Sequence, residues 1–143
     1  MEIVPASILD LNSLYKLEHA CFDKDAWSLF DLIAVLSWPE VIRLKVTEGN
    51  QMIGFVAVET RPSRGAAWIA TIAVDPHFQR RGIGRLLLRA CESRIKSGKL
   101  KLTVRVSNLG AITLYEQEGY RTSEIWHGYY KDGEDGLVME KSL

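Results

Sequence analysis

The sequence predicts a mixed α/β fold: one domain over residues 1–143, with a single central sheet of about six to seven strands and four helices. Three observations carry that reading. Two β-branched runs, Val41 to Thr47 and Met52 to Glu59, flank the turn-forming stretch Glu48-Gly49-Asn50-Gln51 and make a hairpin. The apolar run Trp68 to Val74, a helically spaced run from Ile83 and a third run, Leu100 to Val106, form a strand–helix–strand unit whose strands run parallel. No repeat, low-complexity tract or linker interrupts the 143 residues, 47% of them apolar, so one core suffices.

In chain order, Ile3 and Val4 ahead of Pro5 give a short first strand. Ser7 and Asp10 have capping-box spacing, and Leu11, Leu14, Leu17 and Cys21 set the apolar face of the helix that follows. Ser28 with Asp31 starts a second helix through LFDLIAVLS. It stops near Trp38-Pro39, because the residue before a proline is pushed out of the helical region. After the hairpin, Pro62-Ser63-Arg64-Gly65 turns the chain into Trp68 to Val74, apolar enough for the centre of the sheet. In IGRLLLRACESRIKSG, Ile83, Leu86, Leu87, Ala90, Cys91 and Ile95 keep helical spacing. Arg85, Arg89, Glu92 and Lys96 face outward, and Gly98 is the stop. Asn108 caps a fourth helix, Ala111 to Glu118, ended by Gly119. Tyr120 to Trp126 and Gly136 to Lys141 complete the sheet, with Lys131-Asp132-Gly133-Glu134 between them.

Eighteen basic and eighteen acidic side chains cancel. That argues against nucleic acid or an anionic membrane as partner and confines any anion site to a local cluster. Cys21 and Cys91 belong to no C-x-x-C or His-rich pattern, so neither a disulfide framework nor a metal site is expected, and both read as small buried hydrophobes. MEIVPASILD lacks a basic region followed by an apolar one, and no run nears the ~20 apolar residues of a membrane span. A cytoplasmic location is expected.

The stretch QRRGIG, Gln79 to Gly84, opens the third helix with two glycines behind two arginines. N–H groups at a helix start have no partner inside the helix and lie at the positive end of its dipole, so they favour anions, and Gly82 and Gly84 let a phosphate come close. A Walker loop needs Gly-Lys followed by Ser or Thr, and a dinucleotide fingerprint needs a third glycine where Leu87 stands; both fail. Two readings remain on spacing alone: a phosphate site, or a tight strand-to-helix turn with its arginines in solvent.

VDPHFQRRGIGRLLL resembles motif A of the GNAT superfamily of acyl-CoA N-acyltransferases, a Gln/Arg-x-x-Gly-x-Gly/Ala pattern between strand and helix. VSNLGAITLYEQEGY resembles its motif B, with Asn108, Ala111, Tyr115, Gly119 and Tyr120 in place. The likeness extends over nearly the whole chain, and IAVDP, SN and GYYKDGEDGLVME are similar to the RimI branch, the ribosomal-protein alanine N-acetyltransferases. The resemblance implies the GNAT fold and direct transfer of acetyl from acetyl-CoA to a primary amine, with no metal and no covalent intermediate.

It also implies roles. The strand Ile72-Ala73-Val74 would pair with the pantetheine arm and polarise the thioester carbonyl. The amides of Arg81, Gly82, Ile83, Gly84 and Arg85 would hold the pyrophosphate, Arg80, Arg81 and Arg85 would add charge near it, and Asn108 would orient the cofactor or cap its helix. Tyr115 matches the general acid that protonates the departing thiolate, and Tyr129 and Tyr130 match positions lining the peptide slot. One position departs: where the branch carries a glutamate as general base, this chain has Thr103. Either another group deprotonates the amine, with Glu59, His127, Glu134 and Asp135 the candidates, or the amine arrives neutral. At pH ~7.4 a fifth or more of an α-amine of pKa ~7.7 to 8.0 is neutral, against about one in a thousand for lysine. The expected acceptor is thus the N-terminus of a protein such as a ribosomal protein. The alternatives are a small amine (amino acid, polyamine or antibiotic), or a catalytically impaired acyl-CoA-binding protein.

Overall fold

The structure is a computed structural model that describes residues 2–22, 24–60, 65–95 and 98–143. The turn expected at residues 62–64 and the placement of Lys96 lie outside the described residues. The elements are β1 (Glu2–Pro5), α1 (Leu11–Cys21), α2 (Leu29–Ser37), β2 (Val41–Glu48), β3 (Gln51–Glu59), β4 (Ala66–Val74), α3 (Ile83–Glu92), β5 (Lys99–Arg105), α4 (Leu109–Gln117), β6 (Arg121–Trp126) and β7 (Gly136–Ser142). The seven strands form one sheet in the order β1-β2-β3-β4-β5-β7-β6. β4 and β5 run parallel, and every other neighbouring pair is antiparallel.

Each face of the sheet has its own apolar cluster. Ile83, Leu87, Leu88 and Cys91 of α3 and Tyr115 of α4 pack with Val56, Ile69, Leu100, Leu102 and Val104 on one face. Leu14 and Leu17 of α1 and Leu32, Val35 and Leu36 of α2 pack with Phe55, Ala57 and Ala73 on the other. Sequence periodicity anticipates both layers, because alternate strand residues feed opposite faces.

Three local expectations change. The Ser7–Asp10 capping box closes a single 3₁₀ turn, Ile8–Asp10, ahead of α1. α3 ends at Glu92, well before Gly98: Ser93 Oγ and Arg94 Nη1 both donate to the Ala90 carbonyl, and the N–H groups of Arg94 and Ile95 turn back to Cys91 and Glu92. Glu92 faces inward, accepting from the Tyr120 hydroxyl at 2.7 Å and from Lys141 Nζ at 3.1 Å.

Candidate active site

Among the described residues the parallel pair β4–β5 is joined only at Ala66, Ala67 and Trp68, opposite Lys99, Leu100 and Lys101. Beyond Trp68 the sheet parts. The Asp75 N–H donates to the Ile53 carbonyl, so the backbone groups of Ala73 and Thr71, two and four residues back, also turn toward β3. Those of Ile72 and Val74 turn into the opening. Of the three predicted strand residues, therefore, Ile72 and Val74 present backbone to the gap, while Ala73 is paired with Phe55 and buries its side chain. The Val74 carbonyl already accepts from Gln79 Nε2 at 3.1 Å and Cys21 Sγ at 3.2 Å.

The open edge leads through Pro76–Phe78 to the start of α3. Gly82 is its N-cap at φ 80°, a left-handed conformation that a side chain disfavours, and it supplies no side-chain cap. α2 and α4, by contrast, are capped by Ser28 and Asn108. Gly84 lets α3 close on its neighbours, since a Cβ there would stand 3.2 Å from Leu114 Cδ2. Arg80 and Arg81 are exposed, Arg80 at φ 64° and Arg81 with its guanidinium 5.1 Å from the centre of the Phe78 ring. Arg85 is engaged elsewhere: Nη2 donates to Gln117 Oε1 at 2.8 Å, and Nε lies 2.9 Å from Glu118 Oε2 without hydrogen-bond geometry. The Asn108 side chain accepts from the Ala111 N–H, capping α4.

Tyr115 lies in the α3–α4 cluster at 7% exposure. Burial, with the Tyr130 phenol adding to it, pushes its hydroxyl well above the ordinary phenol value and keeps it protonated. On the opposite face an aromatic row runs Trp68, Trp126, Tyr129, Tyr130, with ring centres 5.8, 5.1 and 5.0 Å apart in turn. The Arg105 guanidinium sits 4.2 Å from the Tyr130 ring and donates to Asp25, Asp132 and Glu134, binding the α1–α2 segment to the β6–β7 loop.

Of the four carboxylate and imidazole candidates for a base, His127, Glu134 and Asp135 share the β6–β7 loop and Glu59 lies apart on β3. Glu134 accepts from Arg105 and the Ser107 N–H, and these donors hold its carboxyl below the usual range. Asp135 is held low in the same way by the Gly128 N–H and His127. The His127–Asp135 pair lies on the exposed β6–β7 loop. Glu59 pairs with Trp68 and Val41 and lines a cleft of about 150 Å³ with Trp27, Asp31 and Trp38.

Two features escaped the sequence reading. Ala70 is the extra residue of a β-bulge, since Ile69 pairs with Val58 and Thr71 with Ala57. Nothing in an unbroken apolar run signals it. Glu18 of α1 is fully buried, accepts from the Thr71 hydroxyl at 3.0 Å, and is raised by burial to about 7. Its signal was its spacing: four residues after Leu14 and three before Cys21, it sits on the apolar stripe. Among the described residues no helix is long and apolar enough to cross a membrane, and no group of three or more His, Cys, Asp or Glu is placed to hold a metal ion.

The sheet thus parts beside one parallel strand, with a bare helix start at that strand's end. The chain belongs to the acetyltransferase (GNAT) family, whose sequence model matches residues 11–120. It is 33% identical over 130 residues to the ribosomal protein bS18-alanine N-acetyltransferase of Salmonella typhimurium, a match covering 80% of this chain and 86% of that one. The ribosomal-protein-S18-alanine N-acetyltransferase structure from Escherichia coli superposes with a TM-score of 0.88 at 30% identity, over 99% of this chain and 93% of that one. Arabidopsis thaliana NAA60 in complex with acetyl-CoA shares the fold, with a TM-score of 0.84 at 19% identity over 99% and 98% of the two chains.

Proposed function

We propose that this acetyltransferase moves acetyl from acetyl-CoA directly to the free α-amine of a protein N-terminus, a ribosomal protein being the first acceptor to test. The observation that carries the reading is the parting of β4 from β5 beside the uncapped start of α3. The backbone groups of Ile72 and the Val74 N–H are available to a cosubstrate arm, the Val74 carbonyl being held by Gln79 and Cys21, and the N–H groups at Ile83, Gly84 and Arg85 to its phosphates. Arg80 and Arg81 add positive charge nearby, whereas Arg85 contributes its amide more than its guanidinium, which is held at Gln117. Bound acetyl-CoA supplies the activated acyl group.

Tyr115 is the proton donor to the departing sulfur. Its buried phenol is a weaker acid than in water, but a thiolate in the same apolar surroundings is a stronger base, so the two shift together. The acceptor reading rests on Thr103: with no carboxylate there, lysine's small neutral fraction is penalised far more than an α-amine's. Tyr129 and Tyr130, with the Arg105 cluster beneath Tyr130, form the platform for the acceptor peptide.

The test is incubation with radiolabelled acetyl-CoA and three acceptors: a lysine-free peptide with a free N-terminal alanine, the same peptide Nα-blocked with an internal lysine, and a polyamine. Label should enter the first alone. Label only in the second or third overturns the α-amine reading.

A further inference from the structure

We infer that Glu18, acting through the Thr71 hydroxyl, takes the proton that the acceptor amine must lose. The inference rests on the α-amine acceptor proposed above.

The geometry begins with Thr103. Leu100, Leu102 and Val104 pack in the α3–α4 cluster, so Lys101, Thr103 and Arg105 face the opposite side, where Arg105 reaches Asp25 and Lys101 lies over Trp68. Thr71 faces that same side, because its hydroxyl meets Glu18 of α1. In the β4–β5 register Ala66 pairs with Lys99 and Trp68 with Lys101, so residue 103 falls level with residue 70, the bulge next to Thr71. The Glu18–Thr71 pair therefore stands across the opening from the position that lacks a carboxylate.

The carboxylate itself is incompletely satisfied. Oε2 accepts from Thr71, while Oε1 is buried without a hydrogen-bond partner among the described residues; the Trp27 N–H favours the charged form but does not reach bonding geometry. His19 on the same helix also favours the charge, and Cys21 lies close enough that Glu18 raises its thiol. From β4 the facing polar group is the Thr71 hydroxyl, and Leu14 and Leu17 on the same helix pack in the apolar cluster that holds Phe55, Ala57 and Ala73. Burial outweighs these groups and brings Glu18 to about 7, close to an α-amine's ~8.

The step balances. A Thr71 hydroxyl that donates to Glu18 has lone pairs left to accept. As the ammonium N–H bond breaks, its proton joins Thr71 Oγ1 and the hydroxyl proton passes to Glu18 Oε2. A neutral amine and a neutral carboxylic acid remain, and Glu18 returns its proton to solvent between turnovers.

The experiment measures kcat against pH, with saturating acetyl-CoA and the lysine-free alanine peptide, for the unchanged protein, Glu18→Gln, Thr71→Val and Thr71→Ser. The unchanged protein should rise to a plateau set by a group near 7. Glu18→Gln and Thr71→Val should lose about 5- to 10-fold at neutral pH, the inverse of the amine's neutral fraction, and keep rising through ~8, and Thr71→Ser should restore the plateau. Infrared difference titration without cosubstrate should show a carboxyl near neutrality that Glu18→Gln lacks. Should Glu18→Gln fail to fold, the two Thr71 variants decide. Superimposable profiles in unchanged protein and Glu18→Gln, or full neutral activity in Thr71→Val, overturn the inference. An unchanged protein inert toward the peptide at every pH removes the acceptor reading and the relay together.

Discussion

Glu118 and Glu18 are buried glutamates on opposite faces of one sheet, and the protein treats them in opposite ways. Glu118, at the end of α4, accepts from Arg89 at 2.8 and 3.3 Å and has Arg85 Nε at 2.9 Å, so its carboxyl is held below the usual range. Glu18 has one hydroxyl and an unpartnered oxygen, and its carboxyl is pushed up to about 7. The α3–α4 face thus uses its carboxylates to hold elements together, as Glu92 also does with Tyr120 and Lys141. The α1 face keeps a carboxylate that costs stability when charged. A buried, poorly compensated group beside an open strand is where chemistry is expected, because a perturbed titration is useful there and wasteful elsewhere.

The largest expected effect tests the exception on the structural face. Tyr115 packs among the helix contacts of α3 and α4, yet it is assigned a reacting role. Tyr115→Phe keeps the ring and removes the proton, so turnover should fall ~10²-fold or more while calorimetric affinity for CoA stays within a few-fold. Equal turnover in the two proteins would make Tyr115 a packing residue and the face wholly structural.

Stability gives the next effect, and the two glutamates should differ in sign. Glu18 has a folded value of about 7 against an unperturbed 4.5. The native state therefore binds the extra proton between those values, and the stability this contributes is present at low pH and lost as pH rises through about 7. Above pH ~8 the charged form costs about 3 kcal/mol, so Glu18→Gln should be the more stable protein there and equal to the unchanged one near pH ~4.5. Glu118 is depressed, so its contribution is present above the ordinary carboxylate value and lost as pH falls through its folded one. Because the arginines it meets are partly solvated, Glu118→Gln should lose only about 1 kcal/mol at neutral pH. Urea unfolding at acidic and alkaline pH measures both, and destabilisation by both variants at alkaline pH would break the comparison.

The contrast between the faces also explains what the sequence could and could not disclose. The hairpin, the parallel unit and the glycine-bare start of α3 follow from local pattern: alternation at 41–59, apolar runs at 68–74 and 100–106, and two glycines after arginines. The Ala70 bulge and the parting of β4 from β5 depend on how whole strands twist and end, which no single residue encodes. Arg85 reads as a free cation because its partners, Gln117 and Glu118, lie more than thirty residues away on α4. Glu18 was visible only as a charge out of place on an apolar stripe, and its meaning required Thr71, fifty-three residues on.

The smallest effect is the most discriminating. Thr103 faces the opening from β5, level with the bulge, and its methyl shares space with Tyr129: a Cβ at Gly136 would stand 2.9 Å from Thr103 Cγ2 and 3.3 Å from Tyr129 Cδ2. A glutamate at 103 must therefore extend past the Tyr129 ring toward the gap, where it could accept the amine's proton directly or through one water. If Glu18 already does so through Thr71, Thr103→Glu should raise the neutral-pH rate of the unchanged protein by no more than about 3-fold. The same substitution in Glu18→Gln should recover most of that variant's loss of about 5- to 10-fold. Two groups that serve one step are non-additive, whereas independent ones multiply. An equal factor in both backgrounds would show that Glu18 has no part in proton removal, and would leave it a buried tie between α1 and β4 whose unusual titration serves no reaction.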